Sequence, residues 1–154
     1  AINKSPYNAR AIEQLLLKMA YKSLVQLCLK FNAKNVKLAG IKHPETDIVF
    51  DQRGLPIFDD IAKVEVKLAN DISSVKNRIL HFKEATKNLH KLILDGVIDR
   101  NNFSTEQLDR IFKDADRIPD FTWHHHQDVG RMQLVPEKMH AKTGHIGGFD
   151  LWFK

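Results

Sequence analysis

The feature that most restricts this chain is its C-terminal stretch, residues 121–148, where five of the eight histidines fall between positions 124 and 145. His124, His125 and His126 are consecutive and follow Phe121-Thr122-Trp123, while His140 and His145 come after Pro136. Residues 122–126 begin aromatic and follow a Pro-containing turn at 117–120, so they read as a strand; residues 131–135 read as a second strand after the turn at Asp128-Val129-Gly130. Pro136 is expected at the first position of a short helix that Gly144 ends. Imidazoles on two neighbouring elements are the donor type and arrangement that a borderline-soft divalent metal takes. A lone histidine is ordinarily a satisfied surface or core group, and a histidine run can be a purification tag. This run is flanked by apolar and glycine signals of folded structure, so the expectation is a metal or catalytic site.

Taken together, Trp123-His124-His125, Gly130-Arg131-Met132-Gln133-Leu134-Val135-Pro136, His140 and His145-Ile146-Gly147-Gly148 resemble the WHH family of nuclease toxin domains, within the HNH/endonuclease VII superfamily. The pattern departs at Ile146, where Thr is expected. The resemblance implies an α+β fold with a helical N-terminal part, short strands and a C-terminal ββα-metal nuclease core of the His-Me finger type. It makes His124 and His140 metal ligands and His125 the general base. His145 would sit about 140° around an unbroken helix from His140, so its part as ligand or phosphate contact depends on the break at Gly144. Gln133 stands where the superfamily often has an Asn that holds the base-bearing strand. Arg131 is either a contact to the scissile phosphate or an ordinary exposed strand residue. Strand alternation adds a constraint: His124 and His126 should share a face and His125 should point away. Ligand and base on adjacent residues then require a bend or bulge, and His126 stays open as an alternative ligand.

Phosphodiester hydrolysis needs an activated water, neutralised non-bridging oxygens and a stabilised leaving oxygen. One divalent ion is expected, zinc on the softness of a histidine set, with nickel or magnesium as other ions such a unit accepts. The function implied is a DNase toxin of interbacterial competition, the effector of a contact-dependent growth inhibition system or other polymorphic toxin. It would be secreted or displayed as part of a larger protein, act in the target-cell cytoplasm and be neutralised by a cognate immunity protein. Two other classes stay open. An RNase could use two histidines as acid and base without metal, and its activity would survive a chelator. A non-catalytic, metal-stabilised nucleic-acid-binding module would need ligands only and would have no use for an imidazole left off the metal.

Charge bears on how a nucleic acid would be held. The net charge is +5 with a pI near 9.3, yet from Asp120 onward four Lys/Arg balance four Asp/Glu. Residues 1–119 therefore carry the whole excess, and the backbone grip is expected there. The densest basic face belongs to a helix read from Val75 to Gly96, with Val75, Ile79, Phe82, Leu89 and Ile93 as its apolar stripe and Lys83, Lys87 and Lys91 as candidate phosphate contacts. His81 and His90 on this helix read as bystanders, and His43 as a turn residue.

Residues 1–40 are expected to form a helical segment and residues 41–154 the nuclease domain. Within the first, residues 7–31 read as an amphipathic helix packing Ile12, Leu15, Leu16, Met19, Leu24, Leu27 and Phe31 into a core. Lys18 and Lys22 interrupt it at positions that would sit at mid-bilayer, and fewer than about twenty continuous apolar residues are available, so it is not a membrane span. Cys28, the sole cysteine, excludes an intramolecular disulfide and a thiolate cluster, and reads as packing in a reducing compartment. A start without Met or a signal-peptide pattern reads as a fragment or processed domain. Residues 48–50 and 55–58 suggest two short extended pieces around a turn, and Lys63-Val64-Glu65-Val66-Lys67-Leu68 a strand with Glu65 on its solvated face. Ser104-Thr105-Glu106-Gln107 opens a further helix through a capping box.

Overall fold

The computed structural model describes residues 9–30, 35–145 and 147–153, and within the first helix the side chains of residues 12–23. Its fold is α+β: a three-stranded antiparallel sheet with helices on both faces. The strands are β1 (Val64–Lys67), β2 (Phe121–His125) and β3 (Arg131–Pro136), in the order β1-β3-β2, so β3 is central and β2 is an edge. The helices are α1 (Ala9–Lys30), α2 (Asn70–Ser73), α3 (Arg78–Leu94), α4 (Thr105–Phe112), α5 (Glu137–Thr143) and α6 (Gly148–Leu151).

Alternation explains the sheet's two faces. In β1, Val64 and Val66 are buried and Glu65 and Lys67 are not. The pairs Val64↔Leu134 and Val66↔Met132, with Trp123↔Leu134 and His125↔Met132 on the other side of β3, put Trp123 and His125 on this apolar face. Against it packs α3, whose Ala85, Leu89 and Ile93 join Phe103, Ile111 and Ile118 in the main core. Trp123 Nε1 donates to Thr86 Oγ1 at 3.0 Å, which ties β2 to α3. The opposite face carries Gln133 and its partners Glu65 and His124. It is closed by α5 and by residues 48–62, with Ile48, Phe58 and Val135 as a second core.

Several expectations need correcting. The first helix forms, but its described apolar side chains are not core: Leu16 is 60 % and Met19 58 % exposed, and Ile12 and Leu15 are exposed as well. Three consecutive leucines at 15–17 span roughly 200° of helix surface, so they define no single stripe for a partner to cover. Leu24, Leu27, Cys28 and Phe31 lie outside the described side chains. Helix α3 starts at Arg78, and its buried face runs through His81, Ala85, Leu89 and Ile93. Val75 and Ile79, placed in the stripe by periodicity, are exposed. Pro136 ends β3 and is the N-cap of α5, one place before the expected position. The capping box is present, with Gln107 N donating to Ser104 Oγ and Ser104 N to Gln107 Oε1. Among the described residues no helix is long and apolar enough to cross a membrane.

Candidate metal and catalytic site

Strand, turn, strand and helix bring the C-terminal histidines together. His124 leaves β2 on the face that α5 covers, and His140 hangs from α5 above it. Gly144 caps α5 in the left-handed region, φ 45°, a backbone conformation that costs glycine nothing. The chain thereby leaves the helix and returns His145 to the same point. His124 Nδ1 lies 3.3 Å from His140 Nε2 and 3.1 Å from His145 Nε2. One nitrogen from each of the three rings falls within 4.8 Å of the others. Phe58, fully buried, forms the floor: its ring centroid is 4.7 Å from that of His124, 5.6 Å from His140 and 5.3 Å from His145.

The end of α5 is pinned from outside the motif. Asn35 Nδ2 donates to Gly144 O at 2.7 Å, and the hydroxyls of Thr46 and Thr143 meet at 3.1 Å. These bonds hold the chain where it turns toward His145.

The triad suits a divalent ion by the chemistry of its donors. A single nitrogen, His124 Nδ1, faces two others, whereas a neutral imidazole nitrogen offers either one N–H or one lone pair. Two nitrogens bound at ~2.0–2.1 Å to one tetrahedral ion stand ~3.3 Å apart, close to the separations seen. Burial drives the pKa of His124 well below the ordinary histidine value, helped by His145 and His140, and holds that of His140 down to about 4. Neutral rings with available lone pairs are what a metal requires.

His125 lies on the other face. No bulge interrupts β2: His124 pairs with Gln133 and His125 with Met132 in unbroken register. His125 is 4 % exposed and packed by Phe82, Phe149 and Trp152. Its Nε2 is 2.9 Å from Nδ1 of the fully buried His81. Burial lowers its pKa to about 3, with His81, Arg78 and His140 acting in the same direction. The charge of Arg78 is felt by both His125 and His140. β2 is a sheet edge and His125 its last residue. Arg78 is exposed and lies over the Phe149 ring, 4.7 Å from its centroid.

The remaining site candidates separate from these. Arg131 is clamped by Glu65 through two bonds of 2.7 Å, reaches Asp59 at 3.2 Å and donates to His126 Nε2 at 2.9 Å. Glu65 is correspondingly held below the ordinary carboxylate pKa, chiefly by Arg131, and is no mere solvated strand residue. His126, the alternative ligand, is engaged with Arg131 and Asp128 and is not part of the triad. Gln133 is fully buried and donates to Asp59 Oδ1 at 2.7 Å and Glu65 Oε2 at 3.1 Å. It therefore ties β3 to β1 and the preceding loop. Lys83, Lys87 and Lys91 line the exposed side of α3, with Lys87 paired to Glu84 and Lys91 to Asp95. His43 and His90 are remote, His90 meeting Asp114 at 2.9 Å.

A family model for the DNase/tRNase domain of colicin-like bacteriocins matches residues 48–147. The chain belongs to this family. The matched segment contains the sheet, α3 and the whole histidine triad, so this is a nuclease toxin domain and its substrate is nucleic acid. Among curated proteins none matches the chain at a significant level. Sequence reasoning missed His81 and Arg78, both on the first turns of α3. The only signal was that α3 continues as i, i+4 through His81, Ala85 and Leu89, which would have put His81 on the buried stripe.

Proposed function

We propose that this domain is a metal-dependent endonuclease that hydrolyses DNA, used in competition between bacteria and neutralised in its producer by a cognate immunity protein. The observation that carries the reading is the convergence of His124, His140 and His145 on one point. A divalent ion held by these residues, zinc on the softness of the set, would neutralise the scissile phosphate and the leaving oxygen. Hydrolysis by that route makes no use of a 2′-hydroxyl, which supports DNA over the tRNA that the family also includes.

The chain's own part is proton transfer and placement. His125, neutral at pH 7, takes a proton from the attacking water as its oxygen bonds to phosphorus, and the opposite P–O bond breaks. An anionic phosphate arriving beside His125 offsets the cationic influence of Arg78 and raises the basicity that burial has lowered. Arg78, exposed at the same edge, is the better-supported phosphate contact. Arg131 is already spent on two carboxylates, so we assign it and Gln133 to holding β3, β1 and the loop at Asp59 in register. Replacing Arg78 by Gln should then slow cutting, and Arg131→Gln should act mainly on stability. The reverse pattern would restore Arg131 to the phosphate. Residues 41–154 form the nuclease unit in this reading, with residues 1–40 a helical segment whose Asn35 fastens to α5.

Two variants test the assignment together. His140→Ala should weaken divalent-ion binding by more than about 100-fold, since losing even an indirect support of a ligand costs about 10–100-fold. His125→Ala should abolish plasmid cleavage while leaving calorimetric metal affinity near wild type. Retained cutting by His125→Ala would end the base assignment, and unchanged affinity in His140→Ala would end the triad.

A further inference from the structure

His81 reaches the C-terminal histidines from α3, and its two nitrogens are both committed. Nε2 is 3.1 Å from the Ile72 carbonyl oxygen and Nδ1 is 2.9 Å from His125 Nε2. A carbonyl oxygen can only accept, so Nε2 of His81 carries the hydrogen. A buried neutral imidazole has just one N–H, which leaves Nδ1 of His81 as an acceptor. The hydrogen between the two rings then belongs to His125 Nε2. On a neutral His125 the remaining lone pair is therefore at Nδ1. That atom makes no hydrogen bond among the described residues.

We propose that His81 is the positioning residue of the base: anchored by the Ile72 carbonyl, it accepts the Nε2 hydrogen of His125 and so fixes the His125 lone pair at Nδ1, the nitrogen left to take the proton of the attacking water. The inference rests on the reading of His125 as base. When Nδ1 takes the water's proton, His125 becomes an imidazolium whose Nε2–H still points at His81, so the charge formed in the reaction meets an acceptor already in place. The surroundings keep the pair dry and fixed. Phe149, Trp152 and Phe153 pack on His81 with ring centroids 5.7, 5.4 and 6.3 Å away, and α2 supplies the Ile72 carbonyl.

The test uses the full chain loaded with zinc, nitrogen-15 spectra of the histidine rings, and steady-state cleavage of plasmid DNA. Wild type should show His125 as the Nε2–H tautomer. His81→Leu removes the acceptor and should lower kcat about 10–100-fold with KM and zinc affinity unchanged. His81→Gln keeps a carbonyl for His125 and an amide hydrogen for Ile72, and should recover most of that loss together with the wild-type tautomer. If His81→Leu does not fold, the wild-type spectrum and the Gln variant still decide. An Nδ1–H tautomer in wild type, or wild-type kcat in a folded His81→Leu, would overturn the proposal. Undiminished cutting by His125→Ala would remove the base reading and this proposal with it. That failure is recognisable because the His125 tautomer of wild type would still be Nε2–H.

Discussion

Three imidazoles held neutral by burial make the metal-free protein sensitive to acid. His125 is lowered to about 3, His140 to about 4 and His124 well below its ordinary value, in each case chiefly by desolvation. The same rings titrate near ~6.5 in the unfolded chain. Between that value and the folded ones the unfolded state binds protons that the folded state refuses, so stability is full above ~6.5 and falls as pH drops toward the folded values. His125 and His140 should each cost ~2 kcal/mol between about pH 7 and about pH 5, a large share of a small domain's stability, and His124 adds to the loss in the same direction. Urea unfolding of the metal-free protein at those two pH values checks this. Equal stabilities would mean that the rings are solvated or paired with anions. The opposite case is Arg131, which Glu65 holds firmly protonated; its guanidinium keeps its charge through that range, while its partner His126 is lowered like the other rings, chiefly by burial.

At the scale of elements, the hairpin and α5 were legible because their signals are local. The turn at Asp128-Val129-Gly130, Pro136 beside the helix start and the left-handed Gly144 each fix a boundary without help from the rest of the chain. What was illegible depends on phase or on distant partners. His81 meets His125 only because α3 starts at Arg78 and buries the 81-85-89 stripe, a phase that Val75 and Ile79 masked. Arg131 finds Glu65 across the sheet, in a pairing that no single strand announces. Helix α6, residues Gly148–Leu151, carried no recognised signal, yet it covers His125. It lies so close to β2 that a Cβ on Gly148 would stand 1.9 Å from His126 O, while Trp152 Nε1 donates to the same oxygen at 2.8 Å. Gly148→Ala should therefore push α6 off the strand end at a cost of ~1–3 kcal/mol, with a red shift in Trp152 emission as it gains water. Wild-type stability and emission would show that the strand end yields to an added methyl.

Over the whole molecule, charge and chemistry are divided. Residues 120–154 are formally neutral and supply the histidines, while residues 1–119 hold the +5 excess. Helix α3 joins the two: its first turns present Arg78 and His81 to the site, and Lys83, Lys87 and Lys91 continue along its exposed side at one-turn intervals, ~6 Å apart. The pairs Lys87–Glu84 and Lys91–Asp95 are exposed and within one helix, worth under ~0.5 kcal/mol, so a phosphate can displace them. We propose this edge as the backbone grip. Counterion release makes log affinity fall with log salt by about 0.9 for each phosphate neutralised. A Lys83/Lys87/Lys91→Gln triple variant should therefore bind DNA with a slope shallower by up to about three, at unchanged metal affinity. A slope equal to wild type would make α3 a scaffold and would place the DNA on another surface of residues 1–119.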